Sequence, residues 1–296
     1  MRGLTDSHVH TSFSDGEGTP DELVASARAR GLDELGISDH LVPRRLDLDG
    51  YGMSHDGIED YLRAVREAGR RAPGGLRVLA GVEVDFAPDT VAETDALLDA
   101  HEFDYVICSV HHVDGFPFDL PETLDDERWS DPDALFRRYF ELIAAAAASG
   151  RYDVAGHLDL PAKFGRLPAG DLSACWAAAL DAIAAAGMAV ELNTGGLHDP
   201  IGAVYPDERI LAAARERGIA IVFGSDAHDP SQVGRDFDAA VALAWRAGYR
   251  TYRRLSDRRD VPLPDAPPLL DVRSPSVDRR QLDVPPSGPP SPGVAP

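Results

Sequence analysis

Seven short apolar runs alternate with amphipathic helical patterns over about the first 250 residues of the chain. Apolar runs of this length predict strands, and strands that alternate with helices favour a parallel sheet and an α/β fold. Because no long interruption divides the seven units, we predict one closed or nearly closed barrel and not two domains. The predicted strands are 3–5, 34–38, 76–82, 105–110, 152–155, 188–192 and 219–223.

The predicted helices carry start and stop patterns of their own. Thr19, Pro20 and Glu22 begin the first helix, with Thr19 as its cap and Glu22 placed to close a capping box. Gly31 ends this helix, since glycine tolerates the left-handed conformation that follows a last helical turn. The later helices are predicted at about 58–71, 90–100, 132–148, 173–186, 206–217 and 236–247.

Histidines and carboxylates stand at the C-terminal ends of nearly all these strands. In a parallel barrel, those ends share one face, where functional groups gather. His8 and His10 are two residues apart in extended chain, so their side chains lie on one face about 7 Å apart and can reach one metal ion. The strand-end set is His8, His10, His40, Glu83, His111, His157, Asp226 and His228, with Asp15 in the first loop.

Imidazoles and carboxylates without a thiolate are ligands that suit Zn²⁺, Mn²⁺ or Fe²⁺. The set exceeds what one ion needs, so we predict two or three ions, bridged by Glu83 or by a hydroxide. Three divalent ions carry +6, and Asp15, Glu83 and Asp226 return −3. The pocket would keep a charge of about +3, which suits a dianionic phosphate.

Four basic residues on loops of the same face are candidates for binding that phosphate. Lys163 is the one lysine of an arginine-rich chain and follows His157 by six residues. It is either a phosphate contact or an ordinary surface lysine. The other three candidates are Arg166, His198 and Arg235.

Three further polar residues have two readings each. Glu191 and Asn193 share one face of the sixth strand, where they either support metal ligands or make ordinary hydrogen bonds in the barrel. His112 follows His111 and is predicted to point to the opposite face of the strand. We therefore expect His112 to pack or to support a ligand, and not to bind the metal itself.

The composition narrows the partners and the compartment. A net charge of −21 at pH 7 argues against binding to nucleic acid or to an anionic membrane. Cys108 and Cys175 offer no disulfide framework, which indicates a reducing cytoplasm. The sequence shows no membrane-spanning run or signal peptide, so we expect a soluble cytoplasmic protein whose oligomeric state stays open. A barrel over 1–265 is predicted to precede a Pro- and Ser-rich, disordered tail over 266–296.

Together, the strand-end motifs resemble the PHP (polymerase and histidinol phosphatase) superfamily over about residues 4–250. The matching stretches are 6–10, 14–16, 38–40, 81–83, 109–111, 156–157 and 225–228. The resemblance implies a distorted seven-stranded β/α barrel with a trinuclear metal centre. Carried over by position, its ligands would be His8, His10, Asp15, His40, Glu83, His111, His157, Asp226 and His228.

Other stretches resemble the monofunctional histidinol-phosphatase branch, namely 156–160, 163–165, 191–197, 205–206, 225–228 and 233–234. That branch often has an arginine after its Gly-Leu pair, where this chain has His198. The resemblance implies hydrolysis of L-histidinol phosphate in histidine biosynthesis. By hypothesis, a metal-bridging hydroxide attacks phosphorus, and Asp15 or His40 passes a proton to the leaving alkoxide.

Three other functions stay open at this point. One is a PHP phosphoesterase for another small ester, such as a nucleotide or a sugar phosphate. The second is a metal amidohydrolase, which also begins with a His-x-His strand but usually has an eighth strand and a metal-bridging lysine at a strand end. The third is a non-catalytic PHP module that binds metal for structure, which degenerate ligand positions would favour.

Overall fold

A computed structural model describes residues 3–72 and 74–265 of the chain. Seven parallel strands, β1 to β7, pair in sequence order, as the alternation of strands and helices predicts. The strands are β1 (Thr5–Asp6), β2 (Glu34–Ile37), β3 (Arg77–Asp85), β4 (Tyr105–Ser109), β5 (Val154–Ala155), β6 (Ala189–Asn193) and β7 (Ile221–Gly224).

The first and last strands meet through the residues that follow them, which nearly closes the barrel. The backbone N–H of Ser7 donates to the carbonyl of Phe223 at 2.9 Å, and the backbone N–H of Asp226 donates to the carbonyl of His8 at 2.9 Å. The backbone N–H of His10 donates in turn to the carbonyl of Ala227 at 2.8 Å. These bonds form a seam that joins the N-terminal motif to the last motif of the chain.

Helices surround this barrel, and their ends follow the predicted patterns. Thr19 accepts a hydrogen bond from the N–H of Glu22, whose carboxylate accepts from Thr19, so the capping box is confirmed. Gly31 ends α1 in the left-handed region at φ 75°. The helices are α1 (Pro20–Arg30), α2 (Ile58–Arg71), α3 (Val91–Ala100), α4 (Pro132–Ser149), α5 (Ser173–Ala186), α6 (Glu208–Glu216) and α7 (Phe237–Arg246).

Tyr105 fills the interior of the barrel near the start of β4. A side chain at Gly36 or Gly81 would collide with its ring, so the two glycines make room for it. The hydroxyl of Tyr105 donates to the carbonyl of Ser7 at 2.7 Å. Ile107 and other small or branched apolar residues continue this inner core, while a larger core lies between the strands and the helices.

An antiparallel hairpin that is absent from the predicted elements follows α7. It consists of β8 (Thr251–Arg254) and β9 (Arg259–Pro262). Arginines interrupt the alternation of polar and apolar residues that would predict these strands, and Tyr252 is the only buried residue of β8. The Tyr252 hydroxyl donates to the carbonyl of Gly3 at 2.5 Å, so the hairpin packs at the N-terminal end of the barrel.

Further short strands lie at the opposite end of the barrel. His40–Leu41 belongs to the barrel sheet and pairs in parallel with the end of β3, whereas His112–Val113 pairs with Phe116–Pro117 in a separate small hairpin. The predicted tail, 266–296, lies outside the described residues. Within 3–72 and 74–265, no helix has the length and apolar character needed to cross a membrane.

Candidate metal centre

The side chains predicted as metal ligands meet at the C-terminal ends of the strands, around the carboxylate of Glu83 on β3. His40 Nδ1 lies 2.8 Å from Glu83 Oε2, and His8 Nε2 lies 3.1 Å from the same oxygen. His157 Nε2 is 3.0 Å from Oε1. Two more imidazoles lie within 3.7 Å of this carboxylate, those of His10 and His111. Glu83 is thus placed to bridge ions, as its predicted role requires.

The two aspartates of the predicted set flank this arrangement. Asp226 Oδ1 lies 3.2 Å from His10 Nε2, so it extends the centre beside β1. Asp15, in the loop after β1, lies 3.3 Å from His228 Nε2 and 3.7 Å from His40 Nε2. The loop aspartate therefore closes the side of the centre that the strands leave open.

Four overlapping groups of these side chains each bring their donor atoms within 4.8 Å of one another. Several residues belong to two groups, so neighbouring ions would share ligands, as expected for a centre of two or three ions. The groups are His10–Asp15–His40–His228, His8–His10–Asp226, His8–Glu83–His157 and His40–Glu83–His111. Together they contain all nine predicted ligands, whose individual roles stay predictions.

Several atoms of this centre are buried without a hydrogen-bond partner among the described residues. They include His8 Nε2, both ring nitrogens of His10, and Glu83 Oε2. Buried polar atoms are costly unless something satisfies them. Divalent cations would do so here, because imidazole nitrogens and carboxylate oxygens are the ligands that Zn²⁺, Mn²⁺ and Fe²⁺ accept. The residues present fit a metal centre.

Burial and neighbouring charges shift the pKa values of the centre's residues in both directions. Against the effect of burial, nearby carboxylates raise the pKa values of His8, His40, His111 and His228, which favours their protonated forms in the metal-free protein. Burial by itself would raise the pKa of Glu83, but the charges of His8 and His40 and the surrounding hydrogen bonds lower it well below its usual range. Burial and, after it, charge repulsion from His228 and His40 together lower the pKa of His10 to about 3. Glu83 is therefore ionised and His10 neutral at pH 7, as a ligand carboxylate and a ligand imidazole must be.

Carboxylates behind the centre orient two of its imidazoles. Glu191 Oε1 lies 2.7 Å from His8 Nδ1, and Asp85 Oδ1 lies 2.7 Å from His111 Nδ1. Each contact leaves the Nε2 atom of the histidine free to face the centre. Of its two predicted roles, Glu191 thus has the position of a residue that supports a metal ligand. Asp85 was missed because the third strand was predicted to end at residue 82, although Asp85 stands two residues beyond Glu83 on the same face.

The loop that carries Asp15 is fixed by a buried carboxylate from the end of β2. Asp39 accepts hydrogen bonds from the N–H and the hydroxyl of Thr11, both at 2.8 Å. The hydroxyl of Ser14 donates to the same carboxylate at 2.5 Å. These bonds hold the chain on both sides of Phe13, so Asp15 is presented to the centre by a rigid turn and not by a free loop.

The turn after β7 shows how tightly the backbone is fitted here. A side chain at Gly224 would collide with Glu191 and with His8, so only glycine fits this position. Asp226 adopts φ 53°, a left-handed conformation uncommon for residues other than glycine. Such conformations persist where the surroundings impose them, and they concentrate at functional sites.

A cavity of about 360 Å³ opens onto the centre. Lys163, His198 and Arg235 line it, as their loop positions predict. Lys163 Nζ lies 3.7 Å from Asp119 Oδ2, whereas the exposed His198 already contacts Asp236 at 2.7 Å. The structure therefore brings three of the four candidate phosphate-binding residues to one cavity.

One candidate residue lies elsewhere than the sequence predicts, and a second one lies at the cavity. Arg166 is absent from the cavity wall: its guanidinium donates to the carbonyl of Leu124 at 2.6 Å and lies over the ring of Trp129. His112 lines the cavity beside His111 but belongs to none of the four groups that could hold an ion, so its predicted role outside the metal ligands stays a prediction.

Comparisons with known proteins agree with this geometry. Residues 6–195 match the model of the PHP domain, and residues 206–236 match that of the PHP-associated family. A "probable histidinol-phosphatase" of Deinococcus radiodurans is 39% identical over 253 residues, which cover 85% of this chain and 96% of the relative. A histidinol-phosphatase of Bacillus subtilis is 28% identical over 79% of this chain and 97% of its own length.

A solved structure supports the fold independently. The histidinol phosphate phosphatase of Lactococcus lactis, in complex with zinc, L-histidinol and phosphate, superposes with a TM-score of 0.68 at 22% identity. The alignment covers 88% of this chain and all of that one. On the family match over most of the barrel and the 39% identity to its Deinococcus relative, the chain belongs to the PHP family, in the branch of the histidinol phosphatases.

Proposed function

We propose that this protein is a metal-dependent phosphatase that hydrolyses L-histidinol phosphate to L-histidinol and phosphate. The observation that carries the proposal is the convergence of nine imidazole and carboxylate side chains in overlapping groups, seven of them on the wall of one cavity. Relatives named histidinol-phosphatase, one of them 39% identical to this chain, support the choice of substrate. Histidine biosynthesis is the process in which such an activity serves.

The metal ions would be held by Glu83 and the eight other predicted ligands around it. Bound divalent ions supply a nucleophile from water near neutral pH and neutralise the oxygens of a phosphoryl group. The protein's part is to fix the ligands before substrate arrives. Asp85 and Glu191 do so by orienting His111 and His8, and Asp39 does so by holding the loop of Asp15.

The cavity wall supplies the remaining groups. Lys163 and Arg235 bring positive charge to the mouth of the centre, where charge-assisted hydrogen bonds to a phosphate can form. Asp15 and His40 are the two candidates for passing a proton to the leaving alkoxide. Of these, Asp15 is the more accessible, since 34% of its side chain is exposed against 9% for His40. Exposure thus favours Asp15, whereas the pKa values favour His40. Against the effect of burial, the hydrogen bond with His228 and nearby imidazoles lower the pKa of Asp15, and the carboxylate of Glu83 raises that of His40. Both residues stay candidates for the proton transfer.

The same observations favour a small-molecule substrate in the cytoplasm. A cavity of about 360 Å³ accommodates a small phosphate monoester such as L-histidinol phosphate. The net charge of −21 disfavours a nucleic acid as a substrate. With two cysteines, the sequence offers no framework of disulfide bonds, which supports a reducing compartment such as the cytoplasm.

Metal analysis combined with phosphate release tests the proposal. The purified protein is expected to hold two to three equivalents of Zn, Mn or Fe and to release phosphate from L-histidinol phosphate faster than from nucleotides or sugar phosphates. Exhaustive chelation is expected to abolish the activity, and adding the metal back to restore it. Activity that survives in metal-free protein would contradict the metal assignment. A preference for another ester would contradict the substrate.

A further inference from the structure

The cavity above the metal centre has a carboxylate whose hydrogen-bonding capacity is unused. Asp119 lines the cavity with 16% of its side chain exposed. Within the described part of the chain, its carboxylate accepts no hydrogen bond, and the nearest cation is Lys163 Nζ at 3.7 Å. That distance is too long for a hydrogen bond. A mostly buried carboxylate in this state has room for a donor that the protein does not supply.

The other acidic residues of the cavity wall are already engaged or remain in solvent. Asp15, Glu83 and Asp226 belong to the metal-binding groups. Asp199 accepts a hydrogen bond from the hydroxyl of Tyr205 at 3.1 Å. Asp49 is exposed, so water satisfies its carboxylate. Among the carboxylates of this wall in 3–72 and 74–265, Asp119 therefore combines burial with free acceptor capacity.

Lys163 and Asp119 stand side by side with opposite charges on one wall. A direct hydrogen bond between the two would engage both groups. Because Lys163 Nζ and Asp119 Oδ2 are 3.7 Å apart, each keeps its hydrogen-bonding capacity for a ligand. Lys163 is 26% exposed and Asp119 16%, and both line the cavity. A ligand with an anion and a cation close together would match both at once.

L-Histidinol phosphate has that distribution of charge. Its ammonium and its phosphate ester oxygen are on adjacent carbons, so the positive nitrogen lies close to the dianionic phosphoryl group. We infer that Asp119 binds the substrate ammonium while the phosphoryl group occupies the metal centre beside Lys163. The cavity is thereby selective for phosphate monoesters of 2-amino alcohols. This inference rests on the proposed function and adds a residue that determines its specificity.

The test compares two substrates that differ in the ammonium group alone. They are L-histidinol phosphate and its desamino analogue, 3-(imidazol-4-yl)propyl phosphate, each hydrolysed by the full-length, metal-loaded enzyme. The wild type is expected to prefer L-histidinol phosphate. In Asp119→Asn, the ratio of the two kcat/KM values should fall about ten- to a hundredfold, the range for losing one hydrogen bond between charged groups. Asp119→Glu should restore part of the ratio, because it keeps the charge.

Asp125→Asn is the matched control. Like Asp119, Asp125 lies between β4 and α4, but its carboxylate is exposed and does not line the cavity. Its substrate ratio is expected to equal that of the wild type. Metal content and melting temperature of each variant show whether folding and the centre are intact. If Asp119→Asn lowers kcat/KM equally for both substrates, Asp119 merely positions Lys163. If it leaves kcat/KM unchanged for both, Asp119 binds nothing. Either result overturns the inference.

The proposed function fails in a different way. If wild-type enzyme does not hydrolyse L-histidinol phosphate yet releases phosphate from other esters, the substrate assignment is wrong before any variant is compared. If the wild type is active on L-histidinol phosphate and the ratio does not respond to Asp119, the function stands and the role of Asp119 falls.

Discussion

The acidic residues at the two ends of the barrel differ in their hydrogen-bond partners. At the N-terminal end, Asp104 accepts a hydrogen bond from the N–H of Ala80 at 2.7 Å, and Asp153 accepts one from Val106 at 3.0 Å. Glu34 accepts from the N–H groups of 255 and 256 in the hairpin. At the C-terminal end, the atoms of the metal centre include buried nitrogens and a buried oxygen without partners in the described chain.

This difference separates stability from function. A carboxylate that caps backbone N–H groups ties one strand to the next and favours the folded state. A carboxylate or imidazole with no partner lowers the stability of the metal-free protein but is ready to bind an ion. We therefore expect substitutions at one end to change the free energy of unfolding, and substitutions at the other to change metal content and rate.

The largest effect is expected from Asp226→Asn at the metal-binding end. The variant removes a ligand charge but tolerates the left-handed backbone of this position, as asparagine often does. Metal content should fall, and kcat/KM for L-histidinol phosphate should drop by roughly a thousandfold or more, because bound metal contributes several kcal/mol to the transition state. Elemental analysis and phosphate release measure both. Full activity with normal metal content would refute the placement of Asp226 in the centre.

Lys163→Ala should have a smaller effect at the rim of the same end. It removes a charge-assisted hydrogen bond to the phosphate, which lowers kcat/KM about ten- to a hundredfold. Metal content should not change, because an ammonium is not a ligand, and Lys163→Arg should recover part of the rate. Steady-state kinetics on metal-loaded enzyme decide this. Wild-type kinetics in the alanine variant would shift the phosphate contact to Arg235.

The smallest effect is expected from Glu34→Gln at the opposite end. Burial raises the pKa of Glu34 above its ordinary value of 4.5, although the N–H groups of Ser256 and Leu255 oppose the shift. In wild type, the ionised form therefore costs stability above the folded-state pKa, and the cost disappears as the pH falls below 4.5. The stability of the glutamine variant relative to wild type should thus increase as the pH rises.

Denaturant unfolding over a series of pH values measures this difference, with kcat as the control for the metal-binding end. The rate should stay within about twofold of wild type, since Glu34 contacts the hairpin and not the cavity. Parallel stability curves for the two proteins would show that the carboxyl group is not the cause. A large loss of rate would mean that the two ends are not independent.

Local patterns in the sequence were sufficient to predict much of this molecule. The capping box of Thr19 and Glu22 depends on residues three apart, and the alternation of strands and helices depends on windows of about ten residues. The convergence of His8, Glu83 and Asp226 could be predicted because parallel strands bring their C-terminal ends together whatever the loops do.

Contacts between distant parts of the chain were harder to predict. Glu191 reaches His8 across 183 positions, and neither residue's neighbours indicate which pairs will meet. The place of His112 beside the cavity could not be predicted, because both His111 and His112 lie beyond the end of β4, where strand alternation no longer gives the direction of a side chain. The contact of Arg166 with Leu124 and Trp129 depends on how two loops pack, and loop packing leaves no periodic pattern in the sequence.

The seam between the first and last barrel strands has a consequence for biogenesis. Buried Asp6 accepts hydrogen bonds from the N–H and hydroxyl of Ser225 and from the N–H of Gly234, partners 219 and 228 positions away. A nascent chain emerging from the ribosome exposes His8 and His10 long before Asp226 and His228 exist. The complete set of ligands can therefore assemble only after synthesis has passed the last of these residues, which places the formation of the full metal centre late in the synthesis of the chain or after it.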